Sequence, residues 1–140
     1  MKKYVMMAVC AVLALASCGG DKGGEIKLDG EWKIKSYVPI ELSSYNLVDT
    51  EGDYRFEFDG ESSFFCGTDC NSISGSYVSE GDSLRFDNMM STEMACDNER
   101  LERAMKQALP AVRTAELSSD SVLTMKSAGG EVLVALVKVK

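Results

Sequence analysis

The 140-residue chain carries 15 Lys plus Arg against 22 Asp plus Glu, no histidine, five cysteines and 45% apolar side chains, proportions that fit one globular domain with a short attachment. Without an imidazole, Ser-His and Cys-His nucleophile pairs, histidine acid/base catalysis and His-ligated metal sites are excluded. A formal charge of -7 with no basic run argues against nucleic acid as a partner, because that affinity comes largely from Lys and Arg neutralising phosphates.

The chain opens with Lys2 and Lys3 ahead of an apolar run from Tyr4 to Ala16, the pattern of a signal peptide over residues 1–17. At 13 residues the run is too short to span a hydrocarbon core, which needs about 20 helical residues. It ends in Leu15-Ala16-Ser17-Cys18, which resembles the bacterial lipobox: small residues admit a peptidase, and the Cys18 thiol is the nucleophile that takes a thioether-linked lipid. Acyl chains at roughly 0.8 kcal/mol per buried methylene would hold the protein on a membrane, so Cys18 is the expected anchor and the bacterial envelope, most simply the outer membrane, the expected location. From Cys18 onward 13 basic and 22 acidic side chains remain, a formal charge of -9.

Residues 18–25 include four glycines and alternate them with charges, a composition suited to a flexible tether. The folded unit, residues 26–140, begins at Ile26 or Leu28 and is long enough for one core. In it, period-2 alternation dominates. Trp32, Ile34 and Val38 are expected on one face of a first strand, with Lys33, Lys35 and Tyr37 on the other. Tyr54, Phe56 and Phe58 alternate with Arg55 and Glu57 before an Asp59-Gly60 turn. Further strands are predicted at residues 63–66, 73–78, 83–87, 122–126 and 131–139, the last apolar on both faces and so covered on both sides. Leu101, Ala104, Met105, Ala108 and Leu109 fall at i, i+3, i+4, i+7 and i+8, which predicts an amphipathic helix with Asp97 as N-cap and Pro110 as its stop. The fold class is therefore α+β, mainly antiparallel β: a small curved, barrel-like sheet packed by one helix.

These residues resemble the META domain family, the HslJ-like group. The resemblance is carried by Leu28-Asp29-Gly30-Glu31-Trp32, Phe56 to Phe58, Asp69-Cys70-Asn71 with Gly75-Ser76-Tyr77, Thr92-Glu93-Met94-Ala95-Cys96 before the helix, Leu123-Thr124-Met125 and Val132-Leu133-Val134. It implies a sheet-rich envelope domain, sometimes linked to stress tolerance, with no catalytic residues and no cofactor. The chain departs from the family pattern at Asp69, where glycine commonly stands, and in the additional Cys66.

With Cys10 in the leader and Cys18 lipidated, Cys66, Cys70 and Cys96 remain, an odd number. Cys70 and Cys96 occupy the two family positions, and a bond between them would close a 25-residue interval and contribute roughly 3.5 kcal/mol through chain entropy. Pairing through Cys66, or three reduced thiols, are the alternatives. Thiol exchange or soft-metal binding with Met89, Met90 and Met94 competes with a packing role for those side chains, but no helix N-terminus or histidine supports it.

Asp49, Glu51 and Asp53, like Glu80 and Asp82, read as solvated acidic surface, with no EF-hand or phosphate-loop spacing. Asp82-Ser83-Leu84 and Asp120-Ser121-Val122 resemble the acceptor tripeptide of bacterial O-glycosylation, making Ser83 and Ser121 candidate modification sites. Three function classes follow. The first is a non-enzymatic lipoprotein acting as an interaction or stress-tolerance module with an envelope protein. The second is a small apolar-ligand carrier, its pocket lined by Trp32, Phe56, Phe58 and Phe64, and the third an inhibitor of a basic hydrolase drawn by acidic charge.

Overall fold

The computed structural model describes residues 26–39, 46–119 and 121–139. The leader, Cys18, the tether and Asp120 lie outside the described residues. Among the described residues nine strands form one antiparallel sheet: β1 Gly30–Tyr37, β2 Val48–Asp49, β3 Arg55–Phe58, β4 Ser63–Gly67, β5 Ser72–Glu80, β6 Ser83–Ser91, β7 Thr114–Ser118, β8 Val122–Lys126 and β9 Val132–Lys138. Pairing runs β1-β3-β4-β5-β6-β7-β8-β9 and closes through β1 with β9, while β2 extends the β3 side of β1. The sheet is thus a closed ring. Its narrowest seam lies between β6 and β7, where one register pair, Ser83 with Thr114, joins strands interrupted by the helix α1 Arg100–Ala108 and a 3-10 turn Leu109–Ala111. The fold class is α+β, as the alternation predicts. Among the described residues, no helix is long and apolar enough to cross a membrane.

Alternation explains which side chains enter the ring. Phe56, Phe58, Phe64, Phe86 and Tyr77 come from β3 to β6 and are all buried. Their rings meet at centroid distances of 4.8 Å for Phe64–Phe86, 4.9 Å for Phe58–Tyr77 and 5.2 Å for Phe56–Phe58, tilted or edge-on as aromatic quadrupoles favour. Trp32 joins them, its Nε1 donating to the Leu28 carbonyl at 2.8 Å. Outside, the Lys138 ammonium lies 4.7 Å from the Trp32 ring centroid and donates to the Asp29 carbonyl, tying β9 to the entry of β1.

Two expected details are corrected. Tyr37 is buried and does not share a solvent face with Lys33 and Lys35. The β1–β9 register slips between Ile34 and Ser36, so one extra residue, Lys35, reverses the parity of the strand, and Val38 falls beyond its end. The helix N-cap is Glu99, without a side-chain cap bond, and not Asp97; the Asn98 carboxamide oxygen accepts from the Arg100 amide at 3.1 Å instead. The predicted apolar stripe is buried in full, and α1 gives way to the 3-10 turn that contains Pro110. Strands β2 and β7 have no counterpart among the predicted strands.

Candidate functional site

The β4–β5 turn and the segment between β6 and α1 meet at one end of the sheet, joined by a Cys70–Cys96 disulfide with Cα atoms 6.1 Å apart. Beside it Asn71 is buried and uses its whole carboxamide. The oxygen accepts from the Thr92 hydroxyl and the Met94 amide, both at 2.8 Å, and the nitrogen donates to the Met94 carbonyl at 3.0 Å and to Glu102 Oε1 at 2.9 Å. Glu102 is a buried carboxylate on the sheet-facing side of α1, and its second oxygen meets Lys106 Nζ at 2.9 Å one turn on. Lys106 also reaches Glu93 at 3.3 Å. The hydrogen bond that Lys106 donates to Glu102 holds its ammonium above the usual lysine range, and bonds donated by Ser91 and Lys106 hold Glu93 below the usual carboxylate range. The charge that α1 buries is therefore paired on both oxygens, as a buried carboxylate requires.

A polar cleft of about 340 Å³ opens beside this knot, lined by Tyr37, Thr50, Tyr54, Asp69, Asn98 and Leu101 among others. The Tyr54 hydroxyl donates to Asp69 Oδ1 at 2.7 Å; among the described residues, the buried Asp69 Oδ2 has no hydrogen-bond partner. That bond, with burial adding to it, pushes the Tyr54 hydroxyl up to about 12. Cys66 lies fully buried in β4, and burial raises its thiol to about 12, so its nucleophilic thiolate is suppressed. Among the described residues, no group of three or more Cys, Asp or Glu side chains could hold a metal ion.

The family model of the META domain matches residues 26–140. The chain belongs to the META domain family. Its structure is similar to an NMR structure of a protein from Burkholderia xenovorans, with a TM-score of 0.66 at 15% identity over 96% of this chain and 99% of that one. It is also similar to a crystal structure of a DUF4847-family protein from Bacteroides vulgatus, with a TM-score of 0.57 at 12% identity over 82% of this chain and 96% of that one. At these identities the likeness is one of fold. No curated protein matches the sequence.

The META domain motifs quoted from the sequence converge: Cys70-Asn71 and Thr92 to Cys96 form the two halves of the knot, so their spacing serves tertiary closure. Of the candidate site residues, Cys70 and Cys96 are joined and Cys66 stands apart in the core. Ser83 and Ser121 are exposed, at the start of β6 and in the β7–β8 turn. Met89 and Met90 line a groove with Ile73, Glu93, Lys106 and Pro110, and Met94 is exposed beyond it. Asp49, Glu51, Asp53 and Asp82 are exposed, and Glu80 ends β5 at the surface. Glu102 escaped the sequence reading. The available signal was its i, i+3, i+7 spacing with Met105 and Leu109, which places it on the flank of the buried stripe, with Lys106 one turn away.

Proposed function

We propose that this META domain is a non-enzymatic, lipid-anchored module of the bacterial envelope, tethered through Cys18 and offering its folded surface to an envelope protein. The observation that carries this reading is Leu15-Ala16-Ser17-Cys18 behind the short apolar run, followed directly by a glycine-rich tether and the domain. The Cys70–Cys96 bond agrees with it, since structural disulfides persist in oxidising compartments and are rare in the cytosol. The acidic surface that a -9 chain presents from Cys18 onward would stand away from anionic lipid and favour cationic protein partners.

An apolar-ligand carrier receives less support, because Trp32, Phe56 and Phe58, the rings that would line its pocket, are buried and the two phenylalanines pack on neighbouring rings. The test is Cys18→Ser in the native host. The wild-type chain is expected to take up a fatty-acid label and fractionate with membranes, and the variant to lose the label, keep its leader and change fraction. A variant that matures and fractionates like wild type overturns the anchor. Affinity purification from membranes then reads the partner, and an extracted domain that never brings down a protein at low salt overturns the interaction role.

A further inference from the structure

The described residues contain eight sulfur atoms, and the fold treats them very differently. Cys70 and Cys96 are already oxidised to a disulfide, and the Cys66 thiol is sealed in the core. Met105 and Met125 have no exposed surface, and Met89 is half-buried against the core. Met90 and Met94 remain, 67% and 59% exposed, as two of the four large apolar side chains exposed among the described residues.

Their surroundings make them expendable for folding. Met94 has its amide and carbonyl both bonded to Asn71, and the disulfide follows two residues later, so its backbone is fixed while its thioether projects outward. Met90 lies on β6 opposite Ser74 and lines a groove of about 320 Å³ with Met89, Glu93 and Lys106. Turning a thioether into a sulfoxide disrupts a protein when the sulfur is in a core and leaves it folded when the sulfur is at the surface.

We infer that Met90 and Met94 form a reversible modification site for two-electron oxidants of the hypohalous-acid and peroxide class, a surface trap whose oxidation leaves the domain folded. With hypochlorous acid, sulfur gives up two electrons and gains an S–O bond, while the oxidant is reduced to chloride and a proton is released. Methionine sulfoxide reductase reverses the step: two thiols form a disulfide, the S–O bond breaks and the oxygen leaves as water. The inference rests on sulfur exposure and is independent of the anchor at Cys18.

The full chain, treated with limiting hypochlorous acid and mapped by peptide mass spectrometry, should carry sulfoxide at Met90 and Met94 about tenfold sooner than at Met105 and Met125. The thermal melt should be unchanged after two oxygen additions, and reductase with a thiol reductant should restore the starting mass. In urea the difference between the four sites should vanish. The double variant Met90→Leu, Met94→Leu should fold and lose the fast phase of oxidant consumption. Equal rates at the buried and exposed methionines of the folded chain, unfolding upon modification of Met90 and Met94, or an undiminished fast phase in the double variant would each overturn the assignment.

Discussion

Asn71 shows how much one side chain can hold. Its carboxamide joins the turn after β4 to the segment before α1 and to a helix carboxylate 31 positions away, with every donor and acceptor used. A partner removed from such a buried network leaves the remaining groups unsatisfied at about 1–3 kcal/mol each. Tyr54 and Asp69 form the neighbouring polar contact, and here the effect is visible in pH. The folded-state hydroxyl of Tyr54 titrates at about 12, above its unfolded value of 10, because Asp69 accepts its proton-bearing bond. The stabilisation is thus fully present below pH 10 and fades as pH rises through about 12. Ultraviolet titration of the phenolates should show an alkaline transition near pH 12 that Tyr54→Phe removes, beside that of Tyr77, whose hydroxyl burial also raises, and urea melts should lose less stability at alkaline pH in the variant than in wild type.

At the scale of elements, the β5–β6 hairpin depends on Gly75. A Cβ there would stand 2.7 Å from the Asp87 carbonyl oxygen and 2.9 Å from that of Asn88, both backbone atoms that cannot rotate away. The approach is this close because β6 bulges opposite Gly75, with Asn88 at a φ of 52°. Gly75→Ala should therefore destabilise the fold by about 1–3 kcal/mol in urea melts, an overpacking cost that an ordinary strand glycine would not show. The Asp59-Gly60 turn was legible beforehand for a local reason: Asp59 Oδ1 accepts the amides of Glu61, Ser62 and Ser63 within four residues, and Gly60 takes a φ of +85°. Those amides also hold the Asp59 carboxyl below its usual range. The bulge was not legible, because it exists only as a mismatch between two strands.

For the whole molecule, the disulfide spans the segment from the β4–β5 turn to the entry of α1, which includes β5 and β6, across a sequence separation of 26. Chain entropy assigns such a loop about 3.5 kcal/mol, so Cys70→Ala with Cys96→Ala should lower the unfolding free energy by an amount of that order. Iodoacetamide should label neither of these positions in the oxidised native protein and should reach Cys66 only after denaturation. Rapid labelling of Cys66 in the folded state would contradict its place in the core.

Local periodicity made much of this architecture readable. The Tyr54-Phe56-Phe58 alternation, the α1 stripe and the turn at Asp59 each place their groups within one or two turns or strands, where side-chain direction follows directly from backbone period. Strand β7 was missed because Thr114–Ser118 offers only Ala115 and Leu117 as weak alternating apolar positions, and it becomes a strand by pairing along β8. The Cys70–Cys96 pair was implied by the family resemblance, whereas the buried side of Tyr37 and the meeting of Asn71 with Glu102 were decided only when strands and helix were brought together. Each depends on contacts between groups distant in the chain, and a linear pattern carries direction along an element but not the distance between elements.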